Sequence, residues 1–104
     1  MSKKRIKVIL KFIKDFLDSR QIKTDRLILF GSYARKTQTK DSDIDIAVVS
    51  RDFENKNIFK RSQMLTGLDW ILVKEFKLPF DIIPLSLKEW KDSPLSQDMI
   101  VDYH

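Results

Sequence analysis

"FGSYARKTQTKDSDIDIAVV", Phe30 to Val49, is the stretch on which the reading of this chain turns. A Gly-Ser pair, Gly31 and Ser32, ends one apolar run, "RLILF", and a second run, "IDIAVV", carries acids at its start. Asp43 and Asp45 stand two residues apart, and residues two apart on a strand project to one face. Two like charges held side by side repel, so one takes up a proton unless a cation lies between them. Carboxylate oxygens are ligands that Mg²⁺ prefers, a couple of them sufficing when substrate phosphates supply the rest. An unpaired carboxylate is expensive to desolvate, so acids in an apolar run call for a reason of this kind.

Outward from that stretch, the hydrophobic periods change. Ile6, Ile9, Leu10, Ile13, Phe16 and Leu17 recur at helical spacing with lysines between them, which predicts an amphipathic helix from about Lys4 to Ser19. In the second strand, Ile44, Ile46 and Val48 point one way and Asp43, Asp45 and Ala47 the other. Ile58, Met64, Leu65, Leu68, Ile71 and Leu72 predict one long helix, about Lys56 to Glu75. "KLPFDIIPLS" reads as a third strand, with Pro84 placing its end at a sheet edge or strand terminus. Ser86 to Glu89 matches a capping box, and Pro94 to Tyr103 reads as a last short helix. Helix, strand, strand, helix, strand, helix predicts an α/β (α+β) fold, a mixed central sheet flanked by helices.

The third strand offers one more acid. Asp81, between Phe80 and Ile82 in "PFDIIP", is the inward candidate. If that strand lies beside the second, Asp43, Asp45 and Asp81 converge, a set able to hold two Mg²⁺ about 3.5–4 Å apart for an in-line phosphoryl displacement. Gly31 lets the chain turn tightly and brings backbone N–H groups near a ligand. A helical turn over Ser32 to Arg35 would aim N–H groups, the Ser32 hydroxyl and the Arg35 guanidinium at phosphate oxygens. Asp41 and Ser42 are explained by turn chemistry alone. No Gly follows Asp45, which argues against an EF-hand, and neither G-K-[ST] nor G-x-G-x-x-G is present.

Bulk properties bound the rest. A chain of 104 residues has room for one core, so residues 1–104 are expected to form a single domain. A 42% hydrophobic fraction with only 2 Gly and 3 Pro fits a folded globule rather than a loop-rich chain. The chain has no cysteine, which excludes disulfides and thiolate chemistry and fits a cytoplasmic protein. Its single His, His104, makes a zinc site or Ser-His-Asp triad a poor expectation. Lys7, Lys11 and Lys14 interrupt the apolar part of the basic start, against a signal peptide, and no run approaches membrane-spanning length. The net charge of +5 suits phosphate-bearing ligands or an acidic partner. Direct nucleic-acid binding has only this charge behind it, without an interleaved aromatic platform.

A Gly-Ser pair, a spacer from Tyr33 to Ser42, then D-x-D resembles the signature of the DNA polymerase β-type nucleotidyltransferases. The small size is most similar to the minimal nucleotidyltransferases (MNT), antitoxin partners of HEPN-domain toxins. The resemblance covers most of the chain and implies a mixed-sheet nucleotidyltransferase fold using Mg²⁺ and ATP. It makes Asp43, Asp45 and Asp81 the catalytic metal ligands, with Asp81 activating the incoming hydroxyl, and gives the triphosphate to Gly31 and Ser32 with Arg35 nearby. It implies transfer of AMP to a tyrosine of a cognate HEPN toxin within a hetero-oligomer. The sequence departs from the family where a Gly usually follows the Arg: here Lys36 does. Two other readings remain at this point. One is a binding module that silences a toxin by occlusion. The other is nucleotide transfer to a small molecule, for which the chain lacks an acceptor-binding domain.

Overall fold

The computed structural model describes residues 1–94 and, as backbone, 101–103. Helix α1 (Lys3–Ser19) opens the chain, and the Ser2 hydroxyl caps it by accepting from Arg5 N–H at 3.1 Å. Its buried residues, Ile9, Leu10, Ile13 and Leu17, form the apolar stripe that the sequence spacing requires. Strand β1 (Arg26–Phe30) runs straight into a one-turn helix α2 (Gly31–Arg35), and β2 (Ile44–Val49) returns antiparallel to β1. A 3₁₀ turn (Arg51–Phe53) leads to α3 (Ile58–Met64) and α4 (Leu68–Phe76). Strand β3 (Phe80–Leu85), α5 (Leu87–Asp92) and β4 (Val101–Tyr103) complete the described chain.

The four strands lie in the order β3-β2-β1-β4. The β1–β2 and β1–β4 pairs are antiparallel and β2–β3 is parallel, so the sheet is mixed as expected. β3 is an edge strand, which is where a strand can carry Pro84. One sheet face packs Leu27, Leu29, Ile44, Ile46 and Val48 against the buried residues of α1 and α4. Phe12 and Phe76 meet edge to face there, ring centres 5.4 Å apart. The opposite face holds a smaller cluster of Ile28, Ala47, Val49 and Trp90, the last from α5. Asp45 belongs to this second face, sharing the strand alternation of Ala47 and Val49.

Two expectations are corrected. The long helix is two helices: Gly67, at φ 91°, breaks it, because a left-handed residue cannot continue a right-handed helix. The last element, expected as a helix from Pro94 to Tyr103, includes a strand over Val101–Tyr103, which gains ladder partners along Leu27–Leu29; residues 95–100 lie outside the described residues. The capping box is present, with Ser86 N–H donating to Glu89 Oε1 at 2.8 Å and Glu89 N–H to Ser86 Oγ at 3.2 Å. Among the described residues no helix is long and apolar enough to cross a membrane.

Candidate active site

The site is built where β1 ends and β2 and β3 begin. Phe30 pairs with Asp45 in the antiparallel register, so the residue after Phe30 arrives over the Asp45 side chain. That residue is Gly31, at φ 72°. A Cβ added there would overlap a carboxylate oxygen of Asp45 and lie 3.1 Å from the carboxylate carbon. Gly is thus required twice, for the left-handed backbone and for the close approach. Phe30, the N-cap of α2, offers no side-chain acceptor to the N–H groups of the turn.

Across the parallel ladder Asp45 stands directly opposite Asp81, as Ile46 does Ile82. In-register partners share a face, so these two carboxylates rise side by side from adjacent strands. Burial, then the charges of Asp81 and Asp43, push the Asp45 carboxyl above the ordinary carboxylate range, while the Arg35 charge pulls it back. Asp43, Asp81 and Arg35 are therefore all near enough to Asp45 for their charges to act on it. Asp43 sits one residue ahead of β2, exposed, rather than within the strand. Asp81 is exposed too, not inward, because β3 is an edge strand open to solvent. The cost of desolvation falls on half-buried Asp45.

The segment between α2 and β2 behaves as turn chemistry predicts. Thr39 N–H donates to Ser42 Oγ at 2.9 Å and Asp41 N–H to Thr39 Oγ1 at 3.3 Å. Lys36 caps α2 in the left-handed region, φ 59° and ψ 34°. It adopts the backbone conformation for which a glycine is usually chosen, so the turn is kept without the glycine.

One acid was not singled out by the sequence reading. Asp69, in the first turn of α4, is raised above the ordinary range by burial and then by the charge of Asp81. An acid at a helix start is expected on dipole grounds alone, so nothing in the sequence marks it out.

Among the described residues no three acids close into a ready-made metal cage. A divalent cation fits the donor set all the same. Mg²⁺ is usually held by one or two carboxylates with phosphate oxygens and water completing the shell. The mutual repulsion at Asp45 is what such an ion relieves, and the candidate donors Asp43, Asp45 and Asp81 supply only oxygen ligands.

Comparison with known proteins gives concordant results. The family model of the nucleotidyltransferase domain matches residues 6–104. A Methanocaldococcus jannaschii protein, provisionally named a protein adenylyltransferase, is 31% identical over 78 residues, 75% of this chain and 72% of that protein. The crystal structure of a provisionally named nucleotidyltransferase from Sulfolobus solfataricus superposes with a TM-score of 0.58. That match covers 99% of this chain and 88% of the other, and its 22% identity speaks to the fold alone.

Proposed function

Because this chain belongs to the nucleotidyltransferase-domain family, and so to the nucleotidyl-transferring enzymes, we propose that it is an antitoxin that transfers AMP from ATP to a tyrosine hydroxyl of a HEPN-domain toxin. The observation that carries the site is the parallel register that sets Asp45 beside Asp81, with Gly31 folded over Asp45. The name of the M. jannaschii relative supports a protein as acceptor. The Gly-Ser to D-x-D spacing, similar to that of the minimal nucleotidyltransferases, supports a HEPN partner.

The chemistry follows from what each group can do. Backbone N–H groups at Gly31 and Ser32, the Ser32 hydroxyl and Arg35 bind and orient the triphosphate. Asp43, Asp45 and Asp81 would hold Mg²⁺, which supplies charge neutralisation for the reacting phosphate when bound. Asp81, exposed on the edge strand, accepts the proton of the incoming hydroxyl. The hydroxyl oxygen then bonds to the α-phosphorus, the bond to the β-phosphate oxygen breaks, and pyrophosphate leaves. Positioning and electrostatics do most of the work, as in other phosphoryl transfers.

The test uses purified protein, Mg²⁺ and α-labelled ATP with a HEPN-domain protein as acceptor. Label is expected on that protein, and Asp43→Ala is expected to abolish transfer. Transfer that survives Asp43→Ala would sink this mechanism. Rescue of toxin-expressing cells by Asp43→Ala as well as by wild type would instead assign the protection to occlusion.

A further inference from the structure

The outer flank of β3 is where the sheet stops, and it adjoins the carboxylates. Ile44 N–H donates to Pro79 O and Ser50 N–H to Leu85 O, each at 2.9 Å. In a parallel ladder with those ends, Asp81, Ile83 and Leu85 turn their backbone groups toward β2, while Phe80, Ile82 and Pro84 turn theirs outward. Pro84 has no N–H, and its oxygen accepts from Arg61 Nη1 at 3.2 Å, so that end of the edge is closed to further pairing. The stretch from Phe80 to Ile82 has no such block, and among the described residues no strand pairs with it.

This flank borders a cavity of about 180 Å³ between Ile82 and Pro84 on one side and the α3–α4 junction, from Leu65 to Asp69, on the other. The volume suits one side chain. Asp69 lines it, near enough to Asp81 for the two carboxylates to repel. Val73, one turn on and on the same helix face as Asp69, is 47% exposed. An edge, an apolar neighbour and two acids next to the candidate catalytic strand describe a place for another backbone bearing a positive charge.

We propose that an extended, basic segment of the protein acceptor adds to β3 as a short strand along Phe80–Ile82. It places a cationic side chain against Asp69 and so brings the acceptor hydroxyl to Asp81. The inference rests on the adenylyl-transfer reading above. Outward N–H and C=O groups in alternation are matched by a second peptide backbone, which gives affinity, while the adjoining pocket gives selectivity. The acids at Asp69 and Asp81 repel nucleic acid at this flank, whatever the net charge of the whole chain. A contact only two or three residues long is weak, as an acceptor that must be released after modification requires.

The experiment takes the HEPN-domain protein of that assay as acceptor and measures its KM, kcat at saturation and the Kd for Mg-ATP. The enzymes are wild type, Ile82→Pro, Asp69→Asn and Asp69→Lys. Ile82→Pro deletes an outward N–H and leaves the β2 ladder intact, as Pro84 already does two residues on. Ile82→Pro and Asp69→Lys are each expected to raise the acceptor KM by about tenfold or more, with Asp69→Asn between Asp69→Lys and wild type. For Ile82→Pro, which removes no charge, ATP affinity should stay within about twofold of wild type, which a merely structural defect would not allow. An unchanged acceptor KM in either folded variant, or a matching loss of ATP affinity in Ile82→Pro, overturns the inference. If Ile82→Pro does not fold, the Asp69 series decides alone. Labelling that is indifferent to these variants defeats this inference only; a wild type that labels no protein defeats the adenylyl-transfer reading with it.

Discussion

Asp45 sits half-buried under Gly31 and beside Asp81, with its charge opposed by burial and by two neighbouring acids. Those conditions favour a cation in the site and disfavour the fold without one. Asp45→Asn keeps the shape and removes the charge. It is expected to raise the melting temperature in metal-free buffer at neutral pH while abolishing transfer, a stability-for-function exchange at one atom pair. Thermal unfolding by circular dichroism checks this, and a melting point at or below wild type would contradict it. At this scale the sequence is informative where residue type and spacing coincide. Asp43, Asp45, Asp81, Gly31, Ser32 and Arg35 stand out because acids in apolar strands and a Gly-Ser turn are individually unusual. Asp69 stays hidden because its relation to Asp81 is tertiary and its position at a helix start is ordinary.

Between elements, polar anchors hold the end of the sheet remote from the site. Arg61, only 9% exposed, donates from Nε to Lys56 O at 2.8 Å and from Nη1 to Pro84 O at 3.2 Å and Glu89 Oε1 at 2.6 Å. It thereby ties α3 to β3 and to the start of α5. Arg61→Met keeps most of the apolar stem but strands those acceptors, and a loss of about 2 kcal/mol in chemical denaturation is expected. Asp25, just ahead of β1, accepts from Arg51 N–H at 2.7 Å and from its guanidinium at 2.8 Å. The guanidinium hydrogen bond holds its carboxyl below the ordinary value of 3.8, with burial opposing. A depressed acid contributes stability above its unfolded value and loses it as pH falls toward the folded one. The stability gap between wild type and Asp25→Asn should therefore be constant from neutral pH down to about 5 and shrink below about 4. Unfolding curves across that range measure it; a gap that grows on acidification would contradict the assignment.

Elements were legible where their period was long or their caps explicit, as in α1 and the Ser86–Glu89 box. The break at Gly67 was not, because Met64, Leu65 and Leu68 carry the helical period straight across it. The strand Val101–Tyr103 was not either. Three residues hold too little period to separate strand from helix, and their state is set by pairing with Leu27–Leu29 far away in sequence.

At the scale of the whole molecule, the sheet order gathers the site from opposite ends of the sequence. β1 and β2 are consecutive and central, whereas β3 joins them only after α3 and α4 have crossed the sheet, and joins on one side alone. The candidate catalytic acid Asp81 is thus carried on an edge strand paired on one side alone, opposite one on a strand held from both sides. A substrate that engages both carboxylates is also a rivet across the β2–β3 seam. Its arrival should be felt as slower amide hydrogen exchange at Asp81 and Ile83, whose N–H groups face β2, with β1 little changed. Equal slowing in β1 and β3 on adding Mg-ATP would mean global stabilisation instead. Occupancy of the site and closure of the β2–β3 seam are then one equilibrium read from two sides.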